Sequence, residues 1–257
     1  MPFLRSPAAL SLLAVLLSCG VVFPASATWS ILAIHPRTGT IGVAAASCSG
    51  GVFGIQSVAP GTGAVIVQAE SSNEARSDAM KMLREGAPLD AILAKITDPS
   101  SGYAPERQQY AVLAGGTGDG PRAFTGKDVP GIKGSTSSRY VSVQGNTLAS
   151  DKVIPDTVAA LGQADWPDDL SMAHALMRAL AAGAAAGGDR RCGSAGSNTA
   201  FISLHRATDP SNAPWVSLSV NRIPAGTASG TAELQRFFTA WLRDGMQRPS
   251  TAIFVVP

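Results

Sequence analysis

Thr28 follows Ala25-Ser26-Ala27, a small-x-small stretch of the kind that signal peptidases cut. Cleavage at Ala27–Thr28 would make Thr28 the first residue and give its hydroxyl a free α-amine on the same residue. A mid-chain threonine hydroxyl is a poor nucleophile. An N-terminal one differs, because an α-amine titrates near about 7.7–8.0 and is partly neutral at working pH. That amine can take the hydroxyl proton, directly or through one water, and later return it to a leaving amine. The chemistry then needs a donor for the oxyanion and a group that holds the amine.

The residues before Thr28 read as an export signal, domain 1–27, ahead of a single domain over 28–257. Arg5 supplies the positive n-region, Ala8 to Leu17 is apolar except for Ser11, and Pro24 breaks the helix before the cut. This predicts a periplasmic or secreted protein. The apolar run falls short of the roughly 20 residues of a membrane span, so no integral span is expected. A rival signal is the lipobox-like Leu16-Leu17-Ser18-Cys19. Cleavage before Cys19 would lipidate that cysteine and leave Thr28 with an amide nitrogen of no basicity.

Composition narrows the function classes. The chain has 257 residues, a formal net charge of +2, and 45% hydrophobic against 15% charged residues. The leader carries Arg5 and no acid, so the processed chain is one charge lower. Such a balance offers neither an electrostatic footprint for nucleic acid nor a polybasic membrane patch, and it suits a folded domain with a large core. No CxxC, HExxH or GxSxG occurs, and His35, His174 and His205 are scattered with no obvious nucleophile beside them. No cofactor and no metal are expected. The glycine-rich stretch Gly115 to Gly120 lacks the Gly-Lys-Ser/Thr ending of a phosphate loop and reads as a turn. Cys48 and Cys192 are free to pair or to remain buried thiols, and the sequence leaves both open. It also leaves open a homo-oligomer.

The elements that must position Thr28 follow from periodicity. Thr28 to Ile34 and Thr40 to Ser47 read as strands joined by the turn His35-Pro36-Arg37-Thr38-Gly39. Gly51 to Val58 and Gly63 to Gln68 read as two more. Ala75, Ala79, Met82 and Leu83 repeat at helical spacing, and Pro88 to Ile96 is a second helix. Strands are predicted at Gln109 to Ala114, Arg122 to Thr125 and Val141 to Gln144, the last ending at Gly145-Asn146. Helices are predicted at Asp151 to Leu161 and Leu170 to Ala186, with Gly187-Gly188 as a stop. Strands follow at Thr199 to His205 and Trp215 to Val220, then a helix at Ala232 to Asp244 and a strand or tail at Thr251 to Val256. Strands in runs and helices in pairs point to α+β, with two sheets between helical layers, rather than to βαβ units.

Several stretches in one order resemble the DUF1028 family: Thr28-Trp29-Ser30-Ile31, Gly39 to Ser47, Gly63 to Gly86, Phe124-Thr125-Gly126, Val143-Gln144-Gly145-Asn146 and Ala186 to Arg191. Together they span nearly the whole chain after the leader. That family is grouped with the N-terminal-nucleophile hydrolases, so the resemblance implies their four-layer αββα sandwich and a Thr28 that processing exposes. In typical members the threonine follows the initiator Met, and here the signal peptide would do the work of Met removal. The chain departs from the family pattern after Gly188-Asp189, where members run on to a Gln-Ser-Ala-Ala strand. Here Cys192 to Ala200 is longer and lacks the Gln, so the resemblance does not carry a shared substrate preference over to this chain.

The expected activity is an exported N-terminal threonine hydrolase of an amide or peptide bond, with a small amide or peptide as ligand. The alternatives are a non-catalytic ligand-binding protein on the same fold and a lipoprotein anchored at Cys19. Thr28 is the candidate nucleophile and base. Asn146 at a strand end is the candidate oxyanion donor, or else the cap of the next helix. Ser47 and Asp189 are candidate orienting groups, or else a strand-end hydroxyl and a turn residue. Arg190 and Arg191 suit a substrate carboxylate, or else are solvated charges. Gln68 lines the cleft or satisfies a backbone group, and Trp29 belongs to the core.

Overall fold

β1 (Thr28–Ile34) and β2 (Ile41–Ser47) form an antiparallel hairpin, with Thr28 opposite Ser47 and Ile34 opposite Ile41. The turn between them closes through His35 N donating to Thr40 O and Gly39 N donating to His35 O. Gly39 sits at φ +70°, a conformation glycine adopts without penalty. A computed structural model describes residues 28–116, 118–224 and 228–246, and the backbone of 251–255. Residues 1–27, over which an export signal is expected, lie outside the described residues, Cys19 among them.

The remaining strands are β3 (Gln56–Ala59), β4 (Gly63–Ala69), β5 (Gln108–Ala114), β6 (Arg122–Thr125), β7 (Ile132–Ser137), β8 (Val141–Leu148), β9 (Thr199–His205), β10 (Val216–Asn221) and β11 (Thr251–Val255). The helices are α1 (Asn73–Arg84), α2 (Leu89–Thr97), α3 (Val153–Leu161), α4 (Asp169–Ala185) and α5 (Gly230–Arg243). One sheet has the order β11-β10-β9-β2-β1-β8-β7 and the other β3-β4-β5-β6. Both are antiparallel except for the β10–β11 pair. β1 lies inside the larger sheet, between β2 and β8.

Strand alternation sorts the side chains into layers. Odd residues of β1, Trp29, Ile31 and Ala33, pack with Leu176, Leu180 and Phe238 of α4 and α5. Even residues face the other sheet: Leu32, with Ile41 and Val43 of β2, meets Ile66 of β4 and Leu113 of β5. On the far side of the small sheet, Val65, Val67 and Val112 pack against Ala79, Leu83 and Ile92 of α1 and α2. The protein is thus a mixed α+β structure with two facing sheets.

Most helix ends carry their own signals. Ser72 accepts from Ala75 N at the start of α1, Asp168 from Ser171 N at α4, and Ser229 from Ala232 N at α5. Met80, rather than Met82, joins Ala75, Ala79 and Leu83 on the buried stripe of α1. The stretch 51–58 is not one strand, since Phe53–Ile55 is a 3-10 turn ahead of β3. β7 was not foreseen, because Ile132–Ser137 is a largely exposed edge with no buried alternation to reveal it. β8 does not stop at Asn146 but runs on to Leu148.

Candidate functional site

Thr28 opens β1, and the register sets it between Asn146 of β8 and Ser47 of β2, with Thr199 of β9 beyond Ser47. Neighbouring strands lie about 5 Å apart, so this row of four polar residues crosses one end of the sheet. Parity directs Thr28 toward the same face as Ser30 and Leu32, the space between the sheets. Thr28 is 1% exposed, and its hydroxyl makes no hydrogen bond among the described residues. Its carbonyl receives Gln68 Nε2 at 3.5 Å.

Behind Thr28 the inter-sheet layer turns from apolar to polar. Ser30 Oγ donates to Gln68 Oε1 (2.6 Å) and accepts from Gln144 Nε2 (2.5 Å). Gln68 Nε2 and Asn146 Nδ2 both donate to Gln109 Oε1, each at 2.9 Å. Gln109 Nε2 in turn reaches Thr125 Oγ1, Gly145 O and Gly134 O. All five residues are fully buried. Such a network must be satisfied throughout to be tolerated, and once satisfied it fixes its members rigidly.

Asn146 is therefore a strand residue and not a helix cap, since α3 starts at Val153 after Lys152. One of its amide hydrogens is held by Gln109, and the other has no partner among the described residues. Beside it the β7–β8 register shifts between Ile132 and Gly134, and Thr147 takes φ +49°. Bulges of this kind re-aim side chains next to functional sites. Ser47 is fully buried and donates to Ser49 Oγ at 3.0 Å.

Asp189 and Arg191 pair with each other rather than with Thr28. The Asp189 carboxylate is fully buried and accepts from Cys48 N (2.6 Å), Arg191 N (3.0 Å) and the Arg191 guanidinium (2.7 and 3.1 Å). Its role is to fasten the end of β2 to the loop after α4; no contact with Thr28 is made. A buried charge requires this kind of pairing. Arg191 is thereby occupied, and Arg190 is exposed with no partner among the described residues. Gln68 serves the Thr28 carbonyl and the network rather than a cavity wall. Cys48 and Cys192 form a disulfide, with 5.6 Å between Cα atoms and 144 residues between them in sequence.

A cavity of about 540 Å³ opens beside this bridge, lined by Cys48, Arg191, Cys192, Ser197, Asn198 and Ile223 among others. Cys48 and Asn198 directly adjoin Ser47 and Thr199, so the cavity borders the Thr28 row. The glycine-rich stretch lies elsewhere: Gly116, Gly118 and Gly120 line a cavity of about 480 Å³ with Ile34 to Gly39, at the opposite end of β1. Sequence missed two features. Gln109 is the hub of the buried network, and the clue is the Gln108-Gln109 pair that opens a strand otherwise made of Tyr-Ala-Val-Leu-Ala. His205 does have a hydroxyl beside it: Ser203 Oγ lies 2.5 Å from Nε2, two residues away on the same face of β9. That pair sits at the Ile41 end of β9, remote from Thr28.

Two facing sheets with a polar row across one end of the larger define a mixed α+β protein. A family model described as DUF1028, a family of unknown function, matches residues 28–228, and the chain belongs to that family. The crystal structure of protein SPO2555 from Silicibacter pomeroyi, which matches the same family model, is 25% identical. It aligns over 84% of this chain and 86% of that one with a TM-score of 0.67. The Anbu (Gly-1) mutant from Hyphomicrobium sp. strain MC1 aligns over 86% of this chain and 97% of that one, at 9% identity and a TM-score of 0.41. No curated protein matches the chain. Among the described residues no helix is long and apolar enough to cross a membrane.

Proposed function

We propose that the protein is exported, cut after Ala27, and acts as an N-terminal threonine hydrolase of an amide or peptide bond on the αββα sandwich of that enzyme class. One observation carries this: Thr28 begins an interior strand of the larger sheet, between Asn146 and Ser47, and its hydroxyl has no partner among the described residues. The match to the family also begins at Thr28. In this scheme Thr28 Oγ attacks the scissile carbonyl carbon while the α-amine takes the hydroxyl proton. The amide hydrogen of Asn146 not held by Gln109 stabilises the oxyanion, and Gln109 fixes its direction. The amine then protonates the leaving nitrogen, and water releases the acyl group from Thr28. Ser47 is a positioning residue beside the amine, and Asp189 acts on it through the Cys48 peptide.

The test starts from the full-length gene expressed with its own leader. Intact mass and N-terminal sequencing of the exported protein should give a chain beginning Thr-Trp-Ser. In an amide-library screen, Thr28→Ala should lower turnover at least about 10³-fold while Thr28→Ser retains it. A chain that keeps its leader or begins at Cys19, or turnover unchanged by Thr28→Ala, overturns the proposal.

A further inference from the structure

The glycine-rich stretch 115–120 has no part in the Thr28 chemistry, yet it is built into a cavity of its own. Close approach pins it at both ends. A Cβ on Gly115 would come within 2.6 Å of Gly61 O, in the turn between β3 and β4, and Gly115 N donates to Thr62 O at 2.7 Å. A Cβ on Gly120 would come within 3.1 Å of Ser138 O, in the turn between β7 and β8. Gly116, Gly118 and Gly120 line the cavity of about 480 Å³ at the Ile34 end of β1. Glycine has no side chain, so they line it with bare backbone. Their N–H groups donate to nothing among the described residues.

Two guanidinium groups line the same cavity. Arg139 reaches from the β7–β8 turn to the glycines, and its Nη2 would lie 3.4 Å from a Cβ on Gly118. It makes no hydrogen bond and no ion pair among the described residues; its Cζ lies over the Tyr140 ring, 5.4 Å from the centroid. A ring holds a guanidinium in place without using its N–H donors. Arg37 gives Nη2 to the carbonyls of Trp166 (2.6 Å) and Pro167 (2.7 Å), and its Nε and Nη1 donate to nothing among the described residues. The described lining residues include no acid, and Asp119, between Gly118 and Gly120, is exposed and does not line the cavity.

Two cations with spare donors, bare backbone N–H groups and no lining carboxylate select for an anion whose oxygens accept several hydrogen bonds at once. The Ile34, Pro36, Leu113 and Tyr140 side of the cavity suits an organic body rather than a bare ion. We infer that this cavity binds a small organic anion through a phosphate or carboxylate group held by Arg139 and Arg37. The site is separate from Thr28, since the seven residues of β1 lie between them, about 20 Å. It therefore stands or falls independently of the hydrolase reading.

The test is calorimetric titration of the wild-type protein at low salt with phenyl phosphate, phenylacetate and neutral benzyl alcohol. At least one anion should bind saturably and at least about fivefold more tightly than the alcohol, since a site built to hydrogen-bond a group rejects an analogue lacking it. The tighter of the two anions tells whether the natural ligand carries phosphate or carboxylate. Arg139→Gln should weaken that anion at least about tenfold, the loss of one charge-assisted fork. Arg139 is exposed and binds no protein group through its N–H donors, so the variant should keep the wild-type Tm. Thr28→Ala should bind the anion as the wild type does. No saturable binding of either anion, affinity no better than the alcohol's, full binding by Arg139→Gln, or binding lost in Thr28→Ala overturns the inference.

Discussion

His205 shows how a single side chain can set the pH range of the fold. It is 7% exposed, its Nδ1 has no partner among the described residues, and burial pushes its pKa down to about 4, against a smaller upward pull from Asp209. The unfolded imidazole titrates near about 6.5, so between that pH and 4 only the unfolded chain takes the proton. Stability is therefore full above about pH 6.5 and falls as the pH drops toward 4, by roughly 3 kcal/mol. Chemical denaturation of the wild type and of His205→Gln at pH 7 and pH 4.5 should show a clear acid loss in the first and a flatter response in the second. Equal pH responses would mean that His205 titrates normally. None of this was readable beforehand: the sequence offers Ser203 and His205 two apart, and only the strand makes them neighbours on one face.

At the scale of elements, the joint between β1 and α4 decides whether Thr28 sits where it does. Trp29, next to Thr28, points away from the inter-sheet space and packs under α4. Gly183 of α4 lies over it: a Cβ there would come within 2.6 Å of both Trp29 Nε1 and Thr157 Oγ1. Gly188, at φ +56°, packs on the other edge of the same indole. In an exposed helix Gly→Ala stabilises by about 1 kcal/mol. Here Gly183→Ala should instead destabilise by about 1–3 kcal/mol through overpacking. Thermal melts would read this as a loss of several degrees, with a shift in tryptophan emission, while a gain in Tm would refute the packing. The strands and helices around this joint were legible because each has a buried face and hence a period. β7 was not, since it is an exposed edge, and the start of the 51–58 segment was not, since a 3-10 turn has no period to read.

For the whole molecule, the two sheets are held together by different means at their two ends. Away from Thr28 the contact is apolar, through Leu32, Ile41, Ile66 and Leu113. Near Thr28 it is the amide network centred on Gln109, which links β5 to β8 and β4. Gln109→Leu would strip Gln68, Asn146 and the Gly145 carbonyl of a buried partner, at a cost of about 2–5 kcal/mol. The same change should release Asn146, so that stability and any Thr28-dependent turnover fall together. A variant as stable as the wild type in urea titration would show that the network bears no weight. The Cys48–Cys192 bridge and Asp189 add a second clamp, tying the loop after α4 to the end of β2.

By itself the sequence determined the hairpin that starts at Thr28, the succession of strands and helices, and the membership of a family whose match begins at that threonine. These follow from local information: alternation, helical spacing, turn residues and the order of motifs. Only the tertiary structure decided which polar residues meet. Asp189 and Arg191 read as groups for amine and substrate, yet they neutralise one another, because a fully buried carboxylate takes its nearest charge and backbone donors. Gln109 reads as nothing in particular, yet it anchors the buried network. Partners separated by tens or hundreds of residues leave no periodic trace in a chain. Their pairing is set by register between strands and by the facing of two sheets, which exist only after folding.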